Sequence, residues 1–451
     1  MTGESFLTSR RQRIWFGGIL LAALLVRLGW GLSRPVDEAA LAGLPDQVEY
    51  LEIGRNLLAG HGMGFLDRRF GEHVVAFRMP GHPLFVAACG GNVRGIRAAQ
   101  AVLDTGTVLA VYLLAGLVMG GAAGGGLVGA RGRGGEGRRD LEGGAGIGPL
   151  VAAGIVALNP YLIFFSGRVL SETLFIALLA WGMVLLVAGN GAQTRQPRTL
   201  VWLLGGVLLA LGVLVRPSAA GIPVMLGIAA AFVNRRRGGA YQGAVVARLR
   251  WPLPVGTTML LLVLLVVTPW VLRNYRVLHE WVLTDTNAGI TLYDGYNPDA
   301  TGASDQRFVK RMPQLRSMGE VGRSQYLQIL AIEWAREHAD RIPALAWEKV
   351  KRTWSPMPLS EQFGRPLYRW AGAAYSVPLD LLVVWAVWRG NLRRSAKVFL
   401  LLPAIYLTAV HGLTVGSLRY RLPAEPPMAV VGASVFVASA KWKRAAASAG
   451  C

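Results

Sequence analysis

Charged residues are scarce in this chain of 451 residues, since Asp, Glu, Lys and Arg together make up only 16% of it. Soluble domains carry about 25%, whereas 53% of this sequence is hydrophobic and its mean hydropathy is +0.40. The low charge argues against a soluble protein and indicates that lipid surrounds much of the chain. Cysteine is scarcer still, and the wide separation of Cys89 and Cys451 gives neither a disulfide framework nor the spacing of a zinc site.

Acidic residues are the scarcer charge type, with 26 Asp and Glu against 47 Lys and Arg, which gives a formal net charge of +21. In a soluble protein this excess would favour nucleic-acid binding. Here the basic residues fall mainly in short segments between apolar runs, as is typical of cytoplasmic loops. Membrane topology therefore explains the charge, contact with membrane lipids is expected, and nucleic acid is not a predicted partner.

Ten apolar runs approach the roughly 20 residues that a membrane-spanning helix needs. The sequence therefore predicts an all-α polytopic membrane protein, with interfacial helices in the first outer loop and one larger outer loop. The first run is long for a signal peptide and lacks a cleavage site, so it is predicted to remain as a span. The segment 83–89 is apolar but too short to cross. The predicted spans cover residues 14–33, 98–120, 148–166, 169–189, 200–216, 217–233, 252–272, 372–389, 398–415 and 424–440.

Basic clusters between these runs set the predicted orientation. With the N-terminal arginines inside, the remaining basic clusters also fall inside, at 131–140, 193–198, 235–250, 391–397 and 441–444. We therefore predict a multi-pass protein of the plasma (inner) membrane with a cytoplasmic N-terminus. The predicted regions are an N-terminal transmembrane region at 1–272 with a first outer loop at 34–97, an outer periplasmic loop region at 273–371, and C-terminal spans at 372–451.

The first outer loop contains a candidate catalytic helix at residues 46–58. Asp46, Glu49, Tyr50 and Ile53 have the spacing of one helix face. Two carboxylates one turn apart could supply a general base and a partner. The alternative is an N-terminal acid that favours the helix dipole, beside a solvated glutamate.

A Pro-Gly-His-Pro turn follows Arg78 in the same loop, within the segment AFRMPGHPLF. A guanidinium at the membrane surface could bind a lipid phosphate through its fork of donors. The alternative is an arginine that reaches generic headgroups. His82 is a candidate ligand, although a structural role in the turn is the more common use of such a residue.

Charged residues within or beside the predicted spans are functional candidates, because an ionisable group is costly in the membrane. Arg27 lies near the outer end of the first span, where it could reach the headgroups. Glu172 lies just inside the outer end of its span, and an ion pair with Arg168 at i, i+4 is the simpler reading. Arg216 lies at an outward turn, where it could face phosphate or water.

Two further motifs lie at outer helix ends and place arginine beside tyrosine or asparagine. One contains Arg273 and Asn274, and the other contains Arg419 and Tyr420. Each alone is weak, because arginine and aromatic residues are common at the interface. Their predicted position on the same membrane face as Asp46 indicates a shared site.

These pieces, taken in order, resemble the GT-C superfamily of membrane glycosyltransferases, specifically the branch of protein O-mannosyltransferases and ArnT-like aminoarabinose transferases. The order, spacing and shared face of the motifs carry the resemblance, more than any motif alone. The matching segments are DQVEYLEIGRNLLAGHG, FRMPGHPLF, LNPYLIFFSGRVLSETLF, LLVRPS, TPWVLRNYRVLHEWVLTDTNAGITLYDGYNP and RYRLPAEP.

The resemblance implies an enzyme that takes a sugar from a polyprenyl-phosphate lipid. It implies that Asp46 is the catalytic acid of the first loop and that Arg78 contacts the donor phosphate. Arg273 and Arg419 resemble the basic residues of the other outer motifs. Family members often carry a second acid directly after the aspartate, where this chain has Gln47.

The implied reaction is an inverting displacement on the outer face, with Asp46 accepting the proton of an acceptor hydroxyl. No cofactor is predicted, because a divalent metal beside Asp46 and Glu49 would lack a visible ligand set. The alternative function is a flippase or transporter of lipid-linked sugars, but such proteins favour charges near the membrane midplane in repeated halves. The sequence identifies neither the sugar nor the acceptor, which could be a protein, a lipid or a cell-envelope glycan.

Overall fold

A computed structural model describes residues 10–123, 136–190, 198–233, 253–359 and 365–437. Most of the basic loops predicted to face the cytoplasm, together with Cys451, lie outside these described residues. The exceptions are residues 391–397, which follow a long helix, and residues 136–140, which open another one.

Within the described ranges the chain forms eighteen α-helices and one short β-hairpin. The helices are α1 Arg10–Leu32, α2 Glu38–Ala42, α3 Pro45–Leu58, α4 Gly81–Ala88, α5 Val93–Ala123, α6 Glu136–Ala157, α7 Pro160–Ser166, α8 Glu172–Gly189, α9 Thr199–Val215, α10 Ile222–Ala230, α11 Val255–Leu278, α12 Asn287–Gly295, α13 Phe308–Arg311, α14 Glu320–Glu337, α15 Ile342–Thr353, α16 Pro366–Arg389, α17 Arg394–Leu413 and α18 Glu425–Ala433. The hairpin pairs β1 Phe65–Asp67 with β2 Glu72–Val74.

Six of the described helices are long and apolar enough to cross a bilayer, namely α1, α5, α8, α11, α16 and α17. The bent pair α6 and α7 would make a seventh. Helices α9, α10 and α18 occupy three further predicted spans but are shorter. The prediction of an all-α polytopic membrane protein is confirmed, whereas the number of ten crossings stays a prediction. The apolar segment 83–89 lies in α4, whose eight residues are too few to cross.

The bend between α6 and α7 follows from local sequence. The two helices meet at an angle of 54°. Pro160 has no backbone N–H to donate to the preceding turn, and the side chain of Asn159 accepts hydrogen bonds from the backbone N–H groups of Tyr161 and Leu162. The chain therefore ends one helix and starts another here, which places α7 across the end of the bundle.

A buried ion pair joins three helices of the bundle. Arg27 Nε of α1 donates to Asp104 Oδ2 of α5 over 2.6 Å, and both side chains are essentially inaccessible. The same guanidinium donates to the carbonyls of Val156 and Ala157, at the end of α6. Arg27 therefore does not reach the headgroups, and the reading from sequence is wrong on that point because Asp104 provides a partner inside the bundle.

The β-hairpin, the segment after α11 and the end of α11 itself form a second apolar core. The hairpin pairs Phe65 with Val74, and Gly71 turns the chain with a φ of +70°. The core of this region includes Phe65, Phe77, Trp270, Ile290 and Leu327. It joins the first loop to the segment after α11, so the two long loops form one structure.

Candidate active site

Helix α3 ends where the sequence predicts and begins one residue earlier, but only two of the four residues predicted to share one face are accessible. Pro45 occupies its first turn, where a missing N–H costs nothing, and Asp46 follows in that same turn. Tyr50 and Ile53 are buried in the apolar cores. Asp46 and Glu49 remain partly accessible and line a cavity, so the same helix anchors itself and presents two carboxylates.

Arg78 connects these two carboxylates. Its Nη2 atom donates to Asp46 Oδ1 over 2.7 Å and to Glu49 Oε2 over 2.5 Å. Its Nε atom also donates to Glu49 Oε2 over 2.7 Å. The guanidinium fork therefore fixes both acids and lies 5.4 Å from the ring centre of Tyr50.

Arg419 approaches Asp46 from the opposite end of the chain. Its Nη1 and Nη2 atoms each donate to Asp46 Oδ2 over 3.2 Å. Its Nε atom donates to Glu172 Oε1 over 2.6 Å, and Arg216 Nη2 lies 2.8 Å from the same oxygen. The structure thus brings six predicted residues into one network of three arginines and three carboxylates.

The expected ion pair between Arg168 and Glu172 is absent from the described structure. Helix α8 begins at Glu172, so the preceding residues do not have the helical spacing that the pair requires. Glu172 binds Arg216 and Arg419 instead, whereas the guanidinium of Arg168 lies over the ring of Phe164.

The network perturbs the titration of its members. Burial alone would raise the pKa of the Asp46 carboxyl, but the charges of Arg78 and Arg419 outweigh it and hold that pKa well below its usual range. Burial alone would lower the pKa of Arg78 and of Arg419, but the neighbouring carboxylates raise both pKa values. Asp46 is therefore ionised at neutral pH and both arginines remain charged.

A cavity of about 890 Å³ opens over this network. Its polar lining residues include Asp67, Asn287, Thr291, Asp294, Ser304 and Gln306. Its apolar and aromatic lining residues, called the apolar wall below, include Tyr161, Phe164, Phe165, Leu359, Tyr368 and Leu418. The cavity therefore presents both hydrogen-bonding groups and hydrocarbon, with Asp46 on its lining.

The predicted ligands His82, Tyr50 and Tyr420 differ in whether they line the cavity. His82 is fully buried, and its ring meets that of Tyr50 edge to face at 4.6 Å. Burial lowers the pKa of His82 to about 3, so its ring is neutral. Neither His82 nor Tyr50 is a lining residue, whereas Tyr420 lines the cavity and stacks on His411 at 3.8 Å.

Arg273 and Asn274 lie apart from the network. Arg273 donates to the carbonyls of Val75 and Met63, and Asn274 donates to the carbonyl of Val282. Neither residue lines the cavity. Arg273 therefore connects the end of α11 with the first loop, and Asn274 connects it with the segment after α11. In this geometry both residues stabilise the fold around the site.

Asp285 is a neighbour of the network that the sequence reading missed. It is half-buried before α12, close enough to Arg78 for the two charges to interact. Burial raises its pKa from 3.8 to about 6, although Arg78 and two backbone N–H groups lower it. In the sequence, the run Asp-Thr-Asn ahead of a helix indicates that a helix begins there, but it does not indicate that Asp285 lies near Arg78.

The described residues contain no group of three or more His, Cys, Asp or Glu side chains placed to hold a metal ion. The two carboxylates nearest the candidate centre, Asp46 and Glu49, bind guanidinium groups instead.

Comparison with solved structures finds two structures of archaeal oligosaccharyltransferase, and the first of them shows a similar fold. The first is the oligosaccharyltransferase AglB from Archaeoglobus fulgidus in complex with an inhibitory peptide and a dolichol-phosphate, with a TM-score of 0.50, 13% identity, and coverage of 95% of this chain and 50% of that chain. The other is an Archaeoglobus fulgidus oligosaccharyltransferase tethered to an acceptor peptide containing the NVT sequon, with a TM-score of 0.47, 12% identity, and coverage of 93% and 49%. The chain spans about half the length of these structures.

No family model and no curated protein matches the sequence. The similarity to AglB, at 13% identity, shows a shared fold alone.

Proposed function

We propose that this protein is an integral membrane glycosyltransferase that moves a hexosyl or pentosyl group from a polyprenyl-phosphate donor to an acceptor hydroxyl. The observation that carries the proposal is the position of Asp46, held between Arg78 and Arg419 on a cavity lined by both polar and aromatic side chains. A carboxylate among fixed cations suits a reaction that removes a proton at one atom and releases a phosphate at another.

Asp46 is the proposed general base. Both of its oxygens accept hydrogen bonds from arginine in the structure, and its low pKa makes it a weak base in this arrangement. A donor phosphate would compete for the same guanidinium groups and reduce their hold on the carboxylate. The pKa of Asp46 would then rise, so that the base becomes effective when the donor is bound.

Arg78 and Arg419 are the proposed phosphate ligands. Both are permanently charged, and each offers a planar fork that matches phosphate oxygens. As the acceptor oxygen attacks the anomeric carbon, the bond from that carbon to the phosphate oxygen breaks and charge accumulates on the leaving phosphate. Fixed donors aimed at that charge stabilise the transition state, and a single displacement inverts the anomeric carbon.

The apolar wall is the proposed site for the first isoprenoid units of the donor. Phe164, Phe165 and Tyr368 present hydrocarbon next to the arginine network. The AglB structure with a similar fold contains a dolichol-phosphate, which supports a lipid-linked donor for this chain. The flippase alternative is less well supported, because the charged lining residues lie at one end of the bundle.

The protein is proposed to lie in the plasma (inner) membrane with this end facing outward. The support is the positive-inside rule, which places the basic loops on the opposite side. An epitope inserted at Ser317, an exposed residue of the segment after α11, is expected to report from the outer side. Reporting from the cytoplasm would contradict the orientation.

Transfer from labelled polyprenyl-phosphate sugars by the purified protein, with envelope extract as the acceptor source, tests the function. Wild type is expected to release polyprenyl phosphate from one donor. Asp46→Asn is expected to lose about 100-fold or more in rate, because it removes the base and preserves the shape of the side chain.

Asp37→Asn is the matched control, since Asp37 lies in the same loop, is exposed and only caps α2. It is expected to turn over like wild type. Full activity of Asp46→Asn would refute the role of Asp46, and absence of turnover with every donor would refute the transferase.

A further inference from the structure

A second cluster of arginines lies beside the cavity, at the same end of the bundle. Arg34 follows α1, Arg97 lies in the first turns of α5, and Arg168 lies in the turn before α8. Arg97 donates to the carbonyls of Arg34 and Pro35 over 2.9 and 3.0 Å. Three separate segments therefore bring their cations together.

Two aromatic rings connect this cluster with the cavity. The guanidinium of Arg34 lies 3.7 Å from the ring centre of Trp30, and that of Arg168 lies 4.7 Å from the ring centre of Phe164. Trp30 Nε1 donates to the carbonyl of Phe164 over 3.3 Å. Because Phe164 lines the cavity, the cationic cluster adjoins the apolar wall.

The cluster is cationic without compensation. Its three arginines form no ion pair with a carboxylate in the described part of the chain, and the buried Nε atom of each one has no hydrogen-bond partner there. Burial and the charge of Arg34 both lower the pKa of Arg168. The Asp46 network differs, since each of its three arginines contacts a carboxylate.

A purely structural role accounts for Arg97 only. Its guanidinium also donates to the carbonyl of Gly31, so it satisfies one carbonyl in the last turn of α1 and two just after the helix. The side chains of Arg34 and Arg168 make no hydrogen bond in the described ranges, and each guanidinium lies over an aromatic ring. Like charges held close together and desolvated are unfavourable unless an anion joins them.

The surroundings place the cluster at the bilayer surface. Leu32 and Val36, on either side of Arg34 in the chain, are exposed hydrophobic residues. Leu367 and Trp370, beside the cavity-lining Tyr368, are exposed as well. Exposed apolar and aromatic side chains mark the level at which lipid headgroups lie.

We propose that Arg34, Arg97 and Arg168 form a second lipid-phosphate site, which binds the phosphomonoester of a polyprenyl phosphate beside the active site. A monoester carries between one and two negative charges near neutral pH, so it suits this cluster better than the single charge of a phospholipid diester. The identity of the lipid rests on the proposed function, since transfer would release this product next to the cluster.

Native mass spectrometry of the full chain with added undecaprenyl monophosphate tests the site. Wild type is expected to bind two lipids, one at each arginine group, and Arg34→Gln/Arg168→Gln is expected to bind one. The dissociation constant of the lost lipid is expected to rise roughly tenfold or more. Arg97 is left intact because it holds the end of α1.

The matched control is Arg276→Gln/Arg316→Gln, which removes two exposed arginines elsewhere and is expected to bind two lipids. The single variants Arg34→Gln and Arg168→Gln are expected to bind the second lipid with intermediate affinity if both arginines contact its phosphate. They also test the site if the double variant fails to fold. Unchanged binding in the double variant would overturn the site. If phosphatidylglycerol at equal concentration displaces the second undecaprenyl monophosphate, the site does not select a phosphomonoester. If inorganic phosphate displaces it, the site does not recognise the lipid part of the ligand.

The second site and the transferase fail in different ways. If the second site is wrong, the double variant binds as many lipids as wild type, while Asp46→Asn still abolishes transfer. If the transferase is wrong, no donor is turned over, while the double variant still loses one bound lipid.

Discussion

The buried pair between Arg27 and Asp104 gives the sharpest test of how the bundle supports the site. Arg27→Met keeps an unbranched apolar stem and removes the charge, which leaves the Asp104 carboxylate buried without its partner. Removing one partner of a buried ion pair costs about 3–5 kcal/mol. The carbonyls of Val156 and Ala157 also lose a donor.

The double variant Arg27→Met/Asp104→Leu separates the cost of an unpaired buried carboxylate from the cost of losing the arginine side chain. It removes the carboxylate as well, so only the lost bonds to carbonyls remain, at about 1–2 kcal/mol in total. The double variant is therefore expected to be about 2–3 kcal/mol more stable than Arg27→Met. Leu25→Met is the matched control, because Leu25 lies on the exposed side of α1.

Reversible unfolding in mixed micelles, followed by tryptophan fluorescence and by circular dichroism, measures these free energies. Arg27→Met is expected to lose stability while the double variant recovers most of it. A double variant as unstable as the single one, or a single variant within about 1 kcal/mol of wild type, would refute the reasoning. The same variants report on the site, since Ala157 directly precedes the bend that carries Tyr161 of the cavity wall.

Two kinetic predictions concern the network itself. Arg78→Lys is expected to lower kcat/KM about 100-fold, because one ammonium cannot reproduce the guanidinium fork that holds Asp46 and Glu49. Arg276→Lys, at an exposed position, is the control. Equal kinetics in the two variants would contradict the role of the fork. Asp285 gains negative charge as the pH rises through about 6, so the donor KM of wild type is expected to increase across that range. The increase is expected to be absent in Asp285→Asn, and a pH profile identical to that of wild type would exclude Asp285 as its source.

The sequence predicted those parts of the fold that depend on local pattern. Apolar runs indicated the helices, and the spacing of Asp46 and Glu49 indicated a helix, which α3 shows. The functional role of that helix stays a prediction. The hairpin escaped prediction because three-residue strands carry too short an alternation to stand out.

The partners of charged residues could not be predicted, because they depend on tertiary contacts. Sequence spacing favoured Arg168 as the partner of Glu172, whereas the structure supplies Arg216 and Arg419 from distant turns. In the same way, Asp104 as the partner of Arg27 lies 77 positions away. A single sequence contains no signal for such distances.

The contact between Asp46 and Arg419 joins positions that are 373 residues apart. The chain enters the membrane from its N-terminus, so the carboxylate is in place long before its last cation is made. A partly synthesised chain therefore lacks one of the two groups that bind Asp46. Under the proposed function, a chain not yet synthesised as far as residue 419 would lack one of the proposed phosphate ligands and would not consume the lipid-linked donor in the membrane where it is built.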